Sequence, residues 1–217
     1  MAENEIEIAW YGQAMFLISG EGIKIVVDPT SPDTGYIYDP VAADLLLVTH
    51  SHFDHNHTSG VTGAKKTIRT SGTHVYNGIT VTGLDTFHDA SGGKQRGPNI
   101  IYAWEQAGFS IAHLGDLGER SISKYAEKLS GLDLLMIPVG GVFTIDGKEA
   151  ANLVAELSPK IAIPMHYNTP DCTIGLERID VFLNNFKGEV KNISERPISV
   201  KRESLPTKTE AWVLPYK

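Results

Sequence analysis

The sequence predicts an α/β chain of the α+β kind, two sheets with outer helices, on three observations. Short strand-like runs separated by Gly-containing turns fill the first half. One run, Leu45-Leu46-Leu47-Val48-Thr49, is apolar without alternation, the character of a strand covered on both faces. In the second half, strand-like runs alternate with segments of helical spacing, giving β-α-β-α in order.

The elements follow in chain order. Glu5 to Trp10 alternates polar and apolar residues, and Met15 to Ile18 and Ile23 to Val27 flank the turn Gly20-Glu21-Gly22, which predicts a β-meander. Leu45 to Thr49 delivers the chain into a histidine cluster, and a strand end carrying polar residues is a common place for a site. From Lys66 to Ser110, β-branched and aromatic stretches at Val75-Tyr76, Ile79 to Leu84, Ile100 to Trp104 and Phe109 to Leu114 alternate with Ser-Gly, Asn-Gly and Ala-Gly turns. Helical spacing covers Ser123 to Leu129, Lys148 to Leu157 and Leu176 to Phe186, and Asp146 with Glu149 has the form of a capping box. Strands recur at Asp133 to Pro138 and Ile161 to Pro164. With no low-complexity tract, long linker or 20- to 50-residue repeat, the expectation is one domain over 1–217.

Composition narrows the function classes. A chain of 217 residues with 41% hydrophobic residues is long enough to bury a full core. The formal charge of -7 argues against nucleic acid as a partner, because backbone phosphates call for a field of Lys and Arg. Its longest apolar runs are far too short to cross a bilayer, so no membrane partner is expected. Cys172 is the single cysteine, which excludes an intramolecular disulfide. The acidic start Met1-Ala2-Glu3-Asn4-Glu5 lacks a secretory pattern, and the expected location is the cytoplasm.

The chemistry is concentrated in His50-Ser51-His52-Phe53-Asp54-His55-Asn56-His57, which holds four of the eight histidines of the chain. Neutral imidazoles and carboxylates are ligands for zinc and its neighbours in the transition series. Two-residue spacing on extended backbone lets His50 and His52 point the same way and share one metal, while Asp54 and His55 follow at a turn and can face a second. A solvated polar loop is the bland alternative.

This segment resembles the HxHxDH signature of the metallo-β-lactamase superfamily, which is likewise preceded by an apolar strand ending in Thr-His. His88 in Thr86-Phe87-His88-Asp89, Asp116 in His113-Leu114-Gly115-Asp116 and His166 in Pro164-Met165-His166-Tyr167 are similar to its remaining ligands. Gly97-Pro98-Asn99-Ile100 and Pro138-Val139-Gly140-Gly141 extend the likeness to the small Zn-dependent hydrolase branch that includes ascorbate-phosphate lactonase-like proteins. One departure is Gln13, where this branch often has histidine.

The resemblance implies a four-layer αββα sandwich with a dinuclear site at one edge between the sheets. By carry-over, His50, His52 and His88 hold one metal, Asp54, His55 and His166 hold the other, and Asp116 bridges them. The cofactor is then two divalent ions, zinc first, with Mn, Fe, Co or Ni able to use the same donors. Asp28 takes the place of an aspartate that orders ligands from behind, and a homo-oligomer is implied by the related lactonases. Lys94 and Arg96 on a glycine-rich loop are candidates for meeting an anionic small-molecule substrate, and Tyr167 is a candidate either for supporting the ligands from behind or for touching the substrate. His113 is expected to be packed and hydrogen-bonded, His57 to stand at a helix start or the rim, and His74 to be structural or solvated.

The function expected is a hydrolase that directs metal-activated water or hydroxide at a small ester, lactone or phosphodiester, with Asp54 orienting the nucleophile. Mononuclear iron chemistry on persulfides or oxygen is the rival reaction class, and a non-catalytic metal-binding domain is the rival outside catalysis. The di-iron oxygen-reducing branch has glutamate where His52 stands. The chain has no room for the large insertion of the RNA-processing branch.

Overall fold

Period-two alternation decides which way each strand of the N-terminal sheet faces. In the computed structural model, which describes residues 4–217, β1 (Glu5–Trp10), β2 (Phe16–Gly20) and β3 (Ile23–Val27) form the expected antiparallel meander, with Trp10 opposite Phe16 and Phe16 opposite Val27. The start Met1–Glu3, part of the segment on which the expectation of no leader rests, lies outside the described residues. The chain continues through β4 (Val41–Ala42), β5 (Leu45–Leu47), β6 (Val61–Thr62), β7 (Lys66–Ile68), β8 (Gly72–Tyr76) and β9 (Ile79–Phe87). Next come β10 (Pro98–Gln106), β11 (Phe109–His113), β12 (Leu134–Pro138), α1 (Gly147–Leu157) and β13 (Ile161–Met165). The last elements are α2 (Asp180–Asn185), β14 (Glu189–Asn192), β15 (Ile198–Lys201) and β16 (Glu210–Val213).

Two sheets result, one six-stranded in the order β15-β1-β2-β3-β5-β7 and one eight-stranded in the order β14-β16-β13-β12-β11-β10-β9-β8, with β4 and β6 as a separate ribbon. Between the sheets, Phe16, Ile18, Ile25, Val27, Leu45 and Leu47 join residues such as Ile101, Phe109, Ile111 and Leu134 in one core. The intervening residues Val26 and Leu46 point the other way, into a second buried cluster with Met15, Val41, Ala43 and Val48. Thus Leu45 to Leu47 is covered on both faces, and the outer cover of this sheet comes from the segment around the β4–β6 ribbon. Each fully buried side chain such as Phe16 or Phe109 contributes about 1.5–3 kcal/mol by leaving water.

The α+β class expected from the sequence holds, and the helices are fewer and shorter than their spacing predicts. Lys148 to Leu157 lies in α1, whose capping box is present: Asp146 Oδ1 accepts from the Glu149 N–H at 2.8 Å, and Glu149 Oε2 accepts from the Asp146 N–H at 3.1 Å. Ser123 to Leu129 is corrected to a single 3₁₀ turn at Ser123–Tyr125 followed by turns. No side chain caps its start, and a segment this short cannot repay the cost of helix nucleation. Leu176 to Phe186 is helical only over Asp180–Asn185, again without a side-chain cap. Among the described residues no helix is long and apolar enough to cross a membrane.

Strand direction sets the position of the site. β5 is parallel to β3 and β7; β9 and β11 are both antiparallel to β10, and β11, β12 and β13 run parallel. The carboxyl ends of β9, β11, β12 and β13 therefore share one edge of their sheet, where crevices of such sheets collect ligands.

Candidate metal centre

Each of the seven predicted ligands follows the carboxyl end of a strand: His50 to His55 after β5, His88 after β9, Asp116 after β11 and His166 after β13. The structure brings all seven together. The donor atoms of His50, His52 and His88 lie within 4.8 Å of one another, as do those of Asp54, His55, Asp116 and His166. Asp116 stands between the groups: its Oδ2 is 3.0 Å from His88 Nε2 and 3.2 Å from His166 Nε2, and its Oδ1 is 3.1 Å from His55 Nε2. Asp54 Oδ2 lies 3.4 Å from His55 Nε2 and 3.9 Å from His166 Nε2.

Hydrogen bonds behind the ring determine which nitrogen each imidazole presents. A carboxylate can only accept, so His55 Nδ1 donates to Asp28 Oδ2 at 2.8 Å. Asp28 also accepts from the Thr49 N–H at 2.8 Å and the Thr49 hydroxyl at 2.7 Å. With its proton so committed, Thr49 Oγ1 accepts from His50 Nδ1 at 3.0 Å. His88 Nδ1 donates to the Phe143 carbonyl at 2.9 Å. In their neutral forms His50, His55 and His88 are thereby left with Nε2 lone pairs directed at the centre, as metal-binding histidines require.

Three observations test whether these residues fit a divalent ion. His55 Nε2 and Asp116 Oδ1 are buried without a hydrogen-bond partner, at a cost that a cation between them removes. His50 Nε2 faces His52 Nδ1 at 3.1 Å, a contact between ring nitrogens that a shared cation stabilises. Donors about 2.0–2.1 Å from a tetrahedral zinc stand about 3.3 Å apart, and the separations of 3.0 to 3.4 Å match that spacing. The donor set fits.

The local electrostatics divide the histidines. Burial, with His55 nearby, pushes the His50 imidazole down to about 3, and burial with His88 nearby also lowers His52, so both stay neutral. Burial would depress His55 as well, but the carboxylates of Asp116, Asp54 and Asp28 outweigh it and hold His55 well above its ordinary value. Burial raises the Asp54 and Asp116 carboxyls, yet His55 beside Asp54 and His166 beside Asp116 bring both below the usual carboxylate range. Positive charge is what this buried cluster attracts.

Backbone geometry holds the loops. Asn99, from the predicted Gly97-Pro98-Asn99-Ile100 segment, donates to Thr86 Oγ1 at 2.8 Å and the Leu114 carbonyl at 2.9 Å, and its Oδ1 accepts from the Asp116 N–H at 3.0 Å. Gly140 is required by close approach, since a Cβ there would lie 2.0 Å from the His166 carbonyl oxygen. His166 itself has φ of 52° and donates its N–H to the Gln13 carbonyl at 3.0 Å.

The other sequence candidates separate clearly. Arg96 lines the site, with its guanidinium 4.2 Å from the Phe143 ring centroid. Its loop is wrapped around Asp89, whose carboxylate accepts from the Ser91, Gly93, Gln95 and Arg96 N–H groups and from the Ser91 hydroxyl. That wrapping leaves Lys94 exposed and outside the lining of the site cavities, contrary to expectation. Tyr167 lines neither site cavity and is buried against Trp10, with ring centroids 5.2 Å apart, which leaves it no substrate contact there. His113 is packed as expected, donating from Nε2 to the Ala14 carbonyl and accepting at Nδ1 from the Gly115 N–H. His57 precedes a 3₁₀ turn at Thr58–Gly60, and His74 bonds to the Thr70 and Ser71 carbonyls.

Sequence reasoning missed Arg69 and Phe143. Arg69 follows Ile68, the last residue of β7, and β7 pairs in parallel with β5, so the register that sets Leu47 opposite Ile68 carries Arg69 toward the histidine loop. That pairing is the signal that would have found it. Phe143 acts through a backbone carbonyl and a ring, and neither has a sequence signature.

Residues 7–166 match the family described as Beta-lactamase superfamily domain. A UPF0173 metal-dependent hydrolase of Carboxydothermus hydrogenoformans is 31% identical over 76% of this chain and 85% of its own length. Another, from Thermococcus kodakarensis, is 30% identical over the same shares. Among solved structures, one from Thermotoga maritima, described as a candidate Zn-dependent hydrolase of the metallo-beta-lactamase superfamily, is 30% identical with a TM-score of 0.76, covering 96% of this chain and 98% of that one. The chain belongs to the metallo-beta-lactamase superfamily.

Proposed function

We propose that this protein is a metal-dependent hydrolase that binds two divalent ions, zinc first, and cleaves a small ester, lactone or phosphodiester. The observation that carries the reading is the convergence of seven His and Asp donors, two of them buried with unpartnered ligand atoms, at the carboxyl ends of strands from both sheets. Family membership and the metal-dependent hydrolases among its relatives support it. A cytoplasmic setting is part of the same reading, supported by the single cysteine.

In this reading His50, His52 and His88 would hold one ion and Asp54, His55 and His166 the other, with Asp116 available to both. When bound, the ions would supply Lewis acidity for activating water and polarising the scissile bond. The chain supplies position and proton handling. Asp54 has one oxygen bonded to Gln13 Nε2 at 2.9 Å and stands at the cavity lined by Phe53, His88, Arg96 and Phe143. There it orients the attacking water, holds the released proton and returns it to the leaving group. Asp28 keeps His55 and, through Thr49, His50 in the ligating tautomer. The apolar rim formed by Phe53, Phe143 and Ile174 limits water at the substrate.

The test is metal content of untagged protein, by elemental analysis, with His52→Ala and Asp54→Ala beside it, followed by hydrolysis assays on esters, lactones and phosphodiesters. About two Zn or Mn per chain, reduced in the variants, with turnover that depends on Asp54, is the expected result. One iron per chain moves the reading to oxygen or persulfide chemistry, and no bound metal under replete conditions overturns it.

A further inference from the structure

A second cavity opens on the His50–His52 side of the centre. It has a volume of about 420 Å³ and adjoins the 320 Å³ cavity over Asp54 and Asp116, with His52 and Arg96 bordering both. Its walls carry two arginines, Arg69 and Arg96, the hydroxyls of Ser51, Thr70 and Ser71, and one carboxylate, Asp85. In a chain of formal net charge -7, two cations against one anion on the wall of a single cavity depart from the overall charge balance.

Both arginines keep donors for a ligand. Neither is in an ion pair among the described residues, although surface guanidinium groups elsewhere in the chain, such as Arg178 and Arg202, are. Arg96 is held from below by the Phe143 ring at 4.2 Å and from its backbone by Asp89, an arrangement that orients the planar fork and leaves its N–H edge open. Arg69 is steadied by a bond from Nη1 to Asn56 Oδ1, which uses one of its five N–H donors. Guanidinium forks with hydroxyls around them match the oxygens of a phosphate or carboxylate.

We propose that this cavity is an anion subsite, in which Arg69 and Arg96 hold a phosphate or carboxylate of the substrate while the bond to be cleaved lies over the His and Asp cluster. The inference rests on the hydrolase reading for its place in catalysis, and on geometry alone for the binding. It assigns the substrate class: a small molecule with an anionic group beside its hydrolysable ester, lactone or phosphodiester.

Calorimetric titration of the metal-replete protein with inorganic phosphate and, separately, with acetate tests it. The comparison set is wild type, Arg69→Gln, Arg96→Gln, the double variant and the Arg69→Lys/Arg96→Lys pair, each with metal content and melting temperature measured. Binding weakened about tenfold or more in the double glutamine variant, with partial recovery in the lysine pair and unchanged metal content and melting, is expected. Phosphate favoured over acetate assigns a phosphorylated substrate, and equal or reversed preference a carboxylated one. Phosphate and acetate bound as tightly by the double variant as by wild type, or bound by neither protein, overturns the subsite. Absent metal with arginine-dependent anion binding would remove the hydrolase reading and leave the subsite standing.

Discussion

The side-chain amide of Gln13 donates from Nε2 to Oδ2 of Asp54 at 2.9 Å, deep in the protein. The orientation of the amide follows from charge, since the carboxylate can only accept. Gln13 is fixed in turn: its φ is 50°, its carbonyl accepts from Trp10 Nε1 at 3.0 Å and from the His166 N–H at 3.0 Å. One residue thus ties together the loops bearing Asp54 and His166.

Gln13→Ala removes the donor and leaves Asp54 free to rotate, so kcat is expected to fall about tenfold to a hundredfold with a smaller change in KM. Gln13→His, which restores a donor at this position, is expected to recover most of the rate. Steady-state kinetics with metal content measured in parallel check this, and a rate unchanged in Gln13→Ala would show that Asp54 is held by other means.

Asp28 serves two of the proposed ligands through one carboxylate, accepting from His55 Nδ1 directly and from Thr49, which positions His50. Burial raises its carboxyl, but His55 beside it outweighs that and brings it below the usual value. Asp28→Ala is expected to weaken metal binding about tenfold to a hundredfold, with both ions affected. Competition against a chromophoric chelator measures the change. Loss confined to one ion would mean that the Thr49 relay does not matter.

The site was far more legible in the sequence than the elements around it. His50, His52, Asp54, His55, His88, Asp116 and His166 belong to residue types that are costly to bury unpaired, so their pattern carries chemistry directly. Two of the strands that deliver them, β5 and β13, are apolar and buried on both sides, as is β12 beside β13, which made these three readable. By contrast, β14 and β15 at the sheet edges, reading EVKN and ISVK, have little apolar signal, and pairing with distant strands makes them extended. Ser123 to Leu129 had helical spacing without a cap or a sufficient buried stripe. Lys94 and Arg96 were indistinguishable in sequence, because only the wrapping of their loop around Asp89 decides which of them reaches the site.

That wrapping yields a prediction of its own. The Asp89 carboxyl lies below its usual range, chiefly through the Ser91 hydroxyl, with backbone N–H groups adding to it. Asp89→Ala would leave the N–H groups of Ser91, Gly93, Gln95 and Arg96 without their shared acceptor and release the loop that sets Arg96 over Phe143. The expected outcome is a KM raised about tenfold for anionic substrates, with metal content retained. Kinetics on matched anionic and neutral substrates check it, and equal effects on both would assign the loop a general structural role.

Metal removal should cost stability as well as activity. Asp54, Asp116 and Asp28 are buried carboxylates, and His55 Nε2 and Asp116 Oδ1 lack hydrogen-bond partners. Ions that bind the folded chain and not the unfolded one stabilise it by mass action, about 2.7 kcal/mol when free metal is a hundredfold above Kd. For a domain of this size each kcal/mol moves Tm by about 2–4 °C, so chelation is expected to lower Tm by about 5–10 °C for each ion removed. Calorimetric melting with and without chelator, repeated on His52→Ala, measures this. The variant should show a smaller chelator effect than wild type because it begins with less metal. Equal melting of wild type in both conditions would mean that the folded chain gains nothing from the ions, which is incompatible with a centre built from these buried donors.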